Sequence, residues 1–170
     1  MKLPILKYPD AVLAKKSEEI REITPELKQL AADMDETMYE NEGIGLAAPQ
    51  VGDCRRLIVV DVSGPEARTD LRVLVNPTVV TTEGKVESEE GCLSVVGLRS
   101  TIDRAEKVTV RAQNLDGQDV LIDADGLLAI CLQHEIDHLE GVLFIDRMSR
   151  LKRSIYDKKV KKWQKDKKSA

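Results

Sequence analysis

Gly126-Leu127-Leu128-Ala129-Ile130-Cys131-Leu132-Gln133-His134-Glu135-Ile136-Asp137-His138-Leu139-Glu140 is the stretch around which the rest of the chain organises itself. It reads as a long helix ended by Gly141, a residue suited to a helix C-terminus. What precedes it is different in kind. Arg56 to Val62 is an apolar, β-branched run of the sort that forms a buried strand. Leu71 to Val75 reads as a second, closing at Asn76-Pro77, and Val79 to Val86 as a third with a turn at Glu83-Gly84. Lys107 to Gln113 alternates Val108, Val110 and Ala112 with polar residues. Asp116-Gly117 is a hairpin signal, and Gln118 to Asp123 returns as its partner strand. Strands first and a late helix predict an α+β fold, with mostly antiparallel sheets packed around a central helix.

Two further helices flank this arrangement. Thr24-Pro25-Glu26 combines an N-cap threonine with proline at the first helical position. Leu27, Leu30, Ala31, Met34 and Met38 follow at helical spacing, and the helix should stop near Gly43. Gly43-Ile44-Gly45-Leu46-Ala47-Ala48-Pro49-Gln50-Val51-Gly52 is an apolar loop. Ordinary loops are polar, so this one is expected to pack inside or to line a pocket. A last helix reads roughly from Ser149 to Asp166, within a basic segment spanning 149–168. Its apolar stripe is Met148, Leu151, Ile155, Val160 and Trp163, whose early half should pack on the body. With 170 residues, 42% of them hydrophobic, and no repeat or linker, residues 1–170 are expected to form one domain.

Charge is unevenly placed. Arg147 to Ala170 holds 11 Lys or Arg against 2 Asp, which leaves 15 basic and 28 acidic residues in the body. A basic tail on an acidic body suggests a polyanionic partner for the tail. No apolar run reaches the ~18 residues of a membrane span, and the N-terminus lacks the pattern of a signal peptide. The 3 cysteines, Cys54, Cys92 and Cys131, argue against a disulfide framework and for a reducing, cytoplasmic setting.

His134-Glu135-Ile136-Asp137-His138 is an H-E-x-x-H motif. Residues four apart share one helix face, so both imidazoles can reach one ion. Glu135 lies about 100° round from His134, beside the ion rather than on it, where a general base for a metal-bound water belongs. Two histidines leave a tetrahedral site one protein ligand short if one position stays open for water. The chain has no third histidine. Asp137, Glu140 and Asp146 are acidic candidates, though Asp137 points off the ligand face. Cys131 shares the helix face of His134 and His138, whereas Cys92 sits in Glu89-Glu90-Gly91-Cys92-Leu93-Ser94. Spacing alone does not choose between the two cysteines.

Three segments occur in order: Gly43-Ile44-Gly45-Leu46-Ala47-Ala48-Pro49-Gln50, Glu90-Gly91-Cys92-Leu93-Ser94, and Gln133-His134-Glu135-Ile136-Asp137-His138. Together they resemble the peptide deformylase family, with its GxGxAAxQ, EGCxS and QHExDHxxG patterns. The resemblance runs over essentially the whole chain, including Pro4-Ile5-Leu6-Lys7-Tyr8-Pro9 and the basic C-terminal helix. It implies that Cys92 is the third metal ligand with His134 and His138. It implies removal of the N-formyl group from the formylmethionine of new polypeptides, with Glu135 as base. The Gln50 side chain and the Leu93 backbone N–H would stabilise the oxyanion. Gly45 resembles the position whose backbone pairs with extended substrate. Ile44, Leu127, Ile130 and Cys131 are expected to wall the methionine pocket, and Arg99 to meet substrate backbone or carboxylate. The implied cofactor is one divalent metal ion, Fe(2+) in the cell, with Zn(2+), Ni(2+) or Co(2+) in preparations. The implied partners are formylmethionyl nascent chains and, through the C-terminal helix, the ribosome; neither a membrane nor DNA is expected. No catalytic group lies beyond His138, so truncation after Ile155 is expected to spare hydrolysis of a short substrate. One departure is Val96, where many family members carry proline; it predicts a less rigid loop after the cysteine.

Overall fold

A computed structural model describes residues 1–169; Ala170, the last residue of the expected basic tail, lies outside them. Helix α1 spans Pro25–Glu40, and Thr24 caps it by accepting from the Leu27 N–H at 3.2 Å. The apolar loop that follows contains strand β1, Gly45–Ala47, and a short helical turn, Ala48–Val51. β1 pairs antiparallel with β2, Leu57–Val60, in the register Leu46 opposite Val59. A four-residue helix, α2 (Gly64–Ala67), leads to β3, Arg72–Glu83. Then come β4 (Val86–Cys92), β5 (Val95–Arg104), β6 (Lys107–Gln113) and β7 (Asp119–Asp125). Helices α3 (Gly126–Leu139) and α4 (Arg150–Ser169) close the chain.

Five strands form one antiparallel sheet in the order β1-β2-β3-β6-β7, and β4 and β5 form a separate hairpin. The pattern of β2 explains its place. All four residues, Leu57-Ile58-Val59-Val60, are fully buried because both faces of the sheet are covered. Ile58 and Val60 pack with Ala129, Leu132, Ile136 and Leu139 of α3. Leu57 and Val59 pack with Leu27, Ala31, Met34 and Met38 of α1. Truncating one such side chain to alanine costs about 2–5 kcal/mol. β6 buries only Val108, Val110 and Ala112, as its alternation requires. Helix α3 ends at Gly141 (φ 75°), where Val142 N–H bonds to Asp137 O at 2.9 Å and any Cβ would strike Ala14 O.

Three expectations are corrected. The strand read as ending at Asn76-Pro77 continues to Glu83, because a register shift between Val75 and Thr78 carries the proline through the ladder. The strand read from Val79 to Val86 is therefore not one element but the end of β3 plus the first residue of β4, with the chain reversing between them at the turn expected at Glu83-Gly84 (Gly84 φ 69°). The early half of the α4 stripe packs only through Met148, since Leu151 and Ile155 are 72% and 51% exposed. Val160 is buried as expected, together with Tyr156, in a third cluster with Leu13, Val95, Ile102 and Phe144 under the β4–β5 hairpin. Tyr156 Oη donates to Val96 O at 2.7 Å. Residues just past Ile155 are thus core residues and not a dispensable tail.

Candidate active site

Helix α3 is packed on the sheet by one face and turns the other toward the hairpin. That geometry brings His134 and His138 against Cys92, which closes β4. The Cys92, His134 and His138 ligand atoms lie within 4.8 Å of one another. Cys92 Sγ is 3.4 Å from His138 Nε2. The two imidazoles sit edge to face, and His134 stacks on Phe144. A thiol and two imidazoles converging on one point fit a divalent metal of the zinc or iron type and not magnesium or calcium, which prefer oxygen. Of the two candidate cysteines, it is Cys92 that joins the histidines in this cluster among the described residues. Cys131 is 5% exposed and its Sγ faces Ile44 O at 3.6 Å. Burial, then the charges of Glu135 and Glu90, push its thiol pKa well up, so it serves as a neutral wall. The acidic alternatives are engaged elsewhere: Glu140 with Arg56 and Lys16, Asp137 with Arg104 and Arg147, Asp146 with Arg153.

An outer layer orients the histidines. Glu90 Oε1 lies 2.9 Å from His134 Nδ1, which frees Nε2 to point at the cluster. Arg104 grips Glu90 with two bonds of 2.8 Å and reaches Asp137 with a third at 2.6 Å. Burial alone would raise the Glu90 pKa, but Arg104 and His134 outweigh it and hold the carboxyl at about 2. Burial likewise opposes a charge on His134, yet Cys92, Glu135 and Glu90 raise its pKa well above the ordinary value. His138 has no carboxylate contact; burial and the charges of His134 and Arg104 lower its pKa. Neither Glu90 nor Arg104 carries a role in the sequence reading. Glu90 stands next to Gly91-Cys92, which is a hint; Arg104 carries no local signal, because it pairs with Val86 in the ladder and only its side chain reaches Glu90.

Glu135 is 4% exposed, and its Oε1 has no hydrogen-bond partner. Burial, only partly offset by His134 and Arg104, pushes its carboxyl up to about 7. Gly45 makes room for it. A Cβ there would collide with Glu135 Oε2 and come within 2.9 Å of Cys131 Sγ. Gln50 is buried and held from both ends: Oε1 accepts Ala47 N–H at 3.0 Å, and Nε2 donates to Ser94 Oγ at 3.1 Å while lying 3.6 Å from Cys92 Sγ. A cleft of ≈610 Å³ opens over these groups. Gln50, Leu93, Gly45, Ile44, Arg99, Leu127, Ile130, Cys131, Cys92, His134 and Glu135 all line it, whereas His138 lies deeper at 1% exposure. Leu127 is half exposed and stands at the rim; Arg99 lies across Gly91 and is also exposed. The turn after Cys92 is tied at three points despite Val96. Tyr8 N–H donates to Ser94 O, Lys7 Nζ to Leu93 O, and Tyr156 Oη to Val96 O, each at 2.7 Å.

With this geometry in view, residues 2–154 match the polypeptide deformylase family. The chain is 53% identical over 159 residues to a peptide deformylase of Thermodesulfovibrio yellowstonii, covering 94% of this chain and 96% of that one. It is 52% identical over 161 residues to one of Acidobacterium capsulatum, covering 95% of each. Its fold matches the crystal structure of a peptide deformylase from Legionella pneumophila with a TM-score of 0.91 and 43% identity, over 100% of this chain and 99% of that one. It also matches one from Ehrlichia chaffeensis in complex with actinonin, with a TM-score of 0.88 and 39% identity over 95% and 96%.

Proposed function

Because the chain belongs to the polypeptide deformylase family and is an enzyme that removes the N-formyl group from N-terminal formylmethionine, we propose which of its groups perform that hydrolysis and in what roles. Cys92, His134 and His138 would hold a divalent ion, which when bound would supply acidification of the attacking water and polarisation of the formyl carbonyl. Glu135 accepts the proton of that water and delivers it to the departing amine. The single observation that carries this role is its buried carboxylate, unpartnered at Oε1 and facing the cleft beside the three ligands. The Gln50 amide, anchored at Ala47 and Ser94, and the Leu93 backbone N–H stabilise the oxyanion as negative charge develops. The substrate lies against the Gly45 backbone, with its methionine among Ile44, Leu127, Ile130 and Cys131. Arg99, exposed at the mouth, meets the chain beyond the methionine.

The ion is Fe(2+) in the cell, and zinc, nickel or cobalt replaces it in preparations; the sulfur and nitrogen donors suit all four. Metal analysis after anaerobic purification tests that choice. The protein works in the cytoplasm, on nascent chains, with the lysines at the end of α4 against ribosomal RNA. Among the described residues no helix is long and apolar enough to cross a membrane. The test of the catalytic assignment is formate release from formyl-Met-Ala-Ser by Glu135→Gln. Its kcat should fall by about 10²–10⁴-fold with metal retained. Wild-type kcat in that variant would remove Glu135 from the role of base.

A further inference from the structure

A second groove, of ≈350 Å³, opens beside the active-site cleft, and the two share a wall made of Glu89, Leu98 and Arg99. Its far side is α4. Lys152, Ile155, Tyr156 and Lys159 recur at three- and four-residue spacing, so they present one helix face to the hairpin. Met148 and Leu98 add apolar surface to it, and Ile155 remains 51% exposed. The groove is built rather than incidental. Tyr156 Oη is bonded to Val96 O, and Trp163 packs so closely over Gly97 that a Cβ there would lie 3.3 Å from its ring. These contacts hold α4 at a set distance from β5.

We infer that this groove is a downstream subsite for the polypeptide substrate, taking the residues that leave the cleft past Arg99 and favouring acidic side chains among them. The inference rests on the deformylase reading. A polypeptide held by its formylmethionine must leave the cleft over an open edge, and the Leu98-Arg99 wall leads directly into the second cavity. An extended chain advances about 3.3 Å per residue, so a groove of this size accommodates a few residues. Arg99, Lys152 and Lys159 face it, opposed among the described lining residues by Glu89 alone, which lies 3.7 Å from Arg99. Net positive charge over an apolar floor suits a peptide carrying Asp or Glu beside an aliphatic residue. A nucleic acid backbone would gain nothing from Ile155, Met148 and Leu98, and it would be repelled by Glu89.

The test compares formyl-Met-Ala-Ser amide with three hexapeptide amides that extend it by Leu-Asp-Glu, Leu-Ser-Ser or Leu-Lys-Lys. At low ionic strength kcat/KM should be highest for the acidic extension, about tenfold above the lysine one through KM, and the ratio should shrink with salt. Lys152→Glu with Lys159→Glu should abolish or invert that order while leaving the tripeptide rate unchanged. Ile155→Ser should reduce the gain that all three extensions share. Equal kcat/KM for the three hexapeptides, or an acidic preference that survives the double charge reversal, overturns the subsite. So does loss of binding to an rRNA hairpin, but not to the acidic hexapeptide, in the doubly reversed protein. Failure to deformylate even the tripeptide would instead strike the underlying functional reading.

Discussion

Replacing Arg104 by methionine should expose how much the site depends on a residue that touches no ligand. The Arg104 and Glu90 side chains are 3% and 5% exposed, and the guanidinium makes two 2.8 Å bonds to Glu90 and one of 2.6 Å to Asp137. Methionine preserves most of the apolar stem but leaves the Glu90 carboxylate buried with only His134 beside it. Breaking a buried pair in this way costs about 3–5 kcal/mol, against a total stability of about 5–15 kcal/mol for a domain. Asp137 is less affected, because Arg147 still holds both its oxygens. With a urea slope of roughly 2 kcal/mol per molar, the midpoint should fall by about 1.5–2.5 M. The orientation of His134 should loosen with Glu90, weakening metal retention about 10–100-fold in a chelator competition. Adding Glu90→Gln to Arg104→Met removes the stranded charge and should recover much of the lost midpoint. A fall below about 0.5 M with metal affinity unchanged would show that the Arg104–Glu90 pair neither supports the fold nor orients the histidine.

The remaining expectations concern single groups. Cys92→Ala should lose the metal while Cys131→Ala keeps it; stoichiometric metal in Cys92→Ala would contradict the ligand assignment. Gly45→Ala should lower kcat by about 10²-fold with little change in melting, since its Cβ displaces the Glu135 carboxylate from where it acts; wild-type kcat would mean that the carboxylate position is not critical. Asp35 on α1 has its pKa raised by burial from 3.8 to about 7, with Oδ1 buried and unpartnered. A raised carboxyl pKa penalises the folded state only when the group ionises, so the penalty is absent below about pH 4, grows through the interval and is complete above pH 7. That interval corresponds to ~4 kcal/mol at ~1.4 kcal/mol per pH unit, trimmed to about 1–2 kcal/mol by partial exposure. Asp35→Asn should therefore stabilise the protein by that amount at pH 8 and not at pH 4, as read by urea unfolding at both. Truncation after Ile155 should lower the melting temperature sharply and impair tripeptide hydrolysis, whereas reversing the charges of Lys161, Lys162, Lys167 and Lys168 should spare hydrolysis but release the protein from ribosomes at low salt. Equal sedimentation of the reversed and wild-type proteins would reduce the basic end of α4 to a solvated helix.

The site was legible to the extent that a local repeat could display it. His134, Glu135 and His138 declare their geometry through helical periodicity alone, because residues four apart must share a face. Cys92 does not. It reaches the histidines across 42 residues of chain, and what brings it there is the packing of the β4–β5 hairpin through Val95 and Ile102 onto Phe144 and Tyr156. Spacing could therefore not choose between it and Cys131, which shares the helix face of the histidines but whose buried thiol turns toward Ile44 O. Arg104 was invisible for the same reason: even the ladder sets it opposite Val86, and only its long side chain, folded inward, reaches Glu90.

The fold was misread where the local signal and the tertiary demand diverged. Asn76-Pro77 is a credible strand ending, since proline cannot donate to a ladder. The sheet nonetheless absorbs it: Asn76 takes positive φ (51°), donates its N–H to Arg56 O, and ties Ile20 through both side-chain atoms. In α4 the difference ran the other way. Of the stripe Met148, Leu151, Ile155, Val160 and Trp163, Leu151 and Ile155 stay exposed, while Tyr156, outside the stripe, is buried. Burial chose Tyr156 because the hairpin offers both an apolar bed, in Val95 and Ile102, and a carbonyl, at Val96, to receive its hydroxyl. That choice rotates α4 so that Ile155 is left at the edge of the groove beside Lys152 and Lys159. The residue that anchors the last helix to the hairpin carrying Cys92 thus also sets which side chains the helix shows to whatever passes over Arg99.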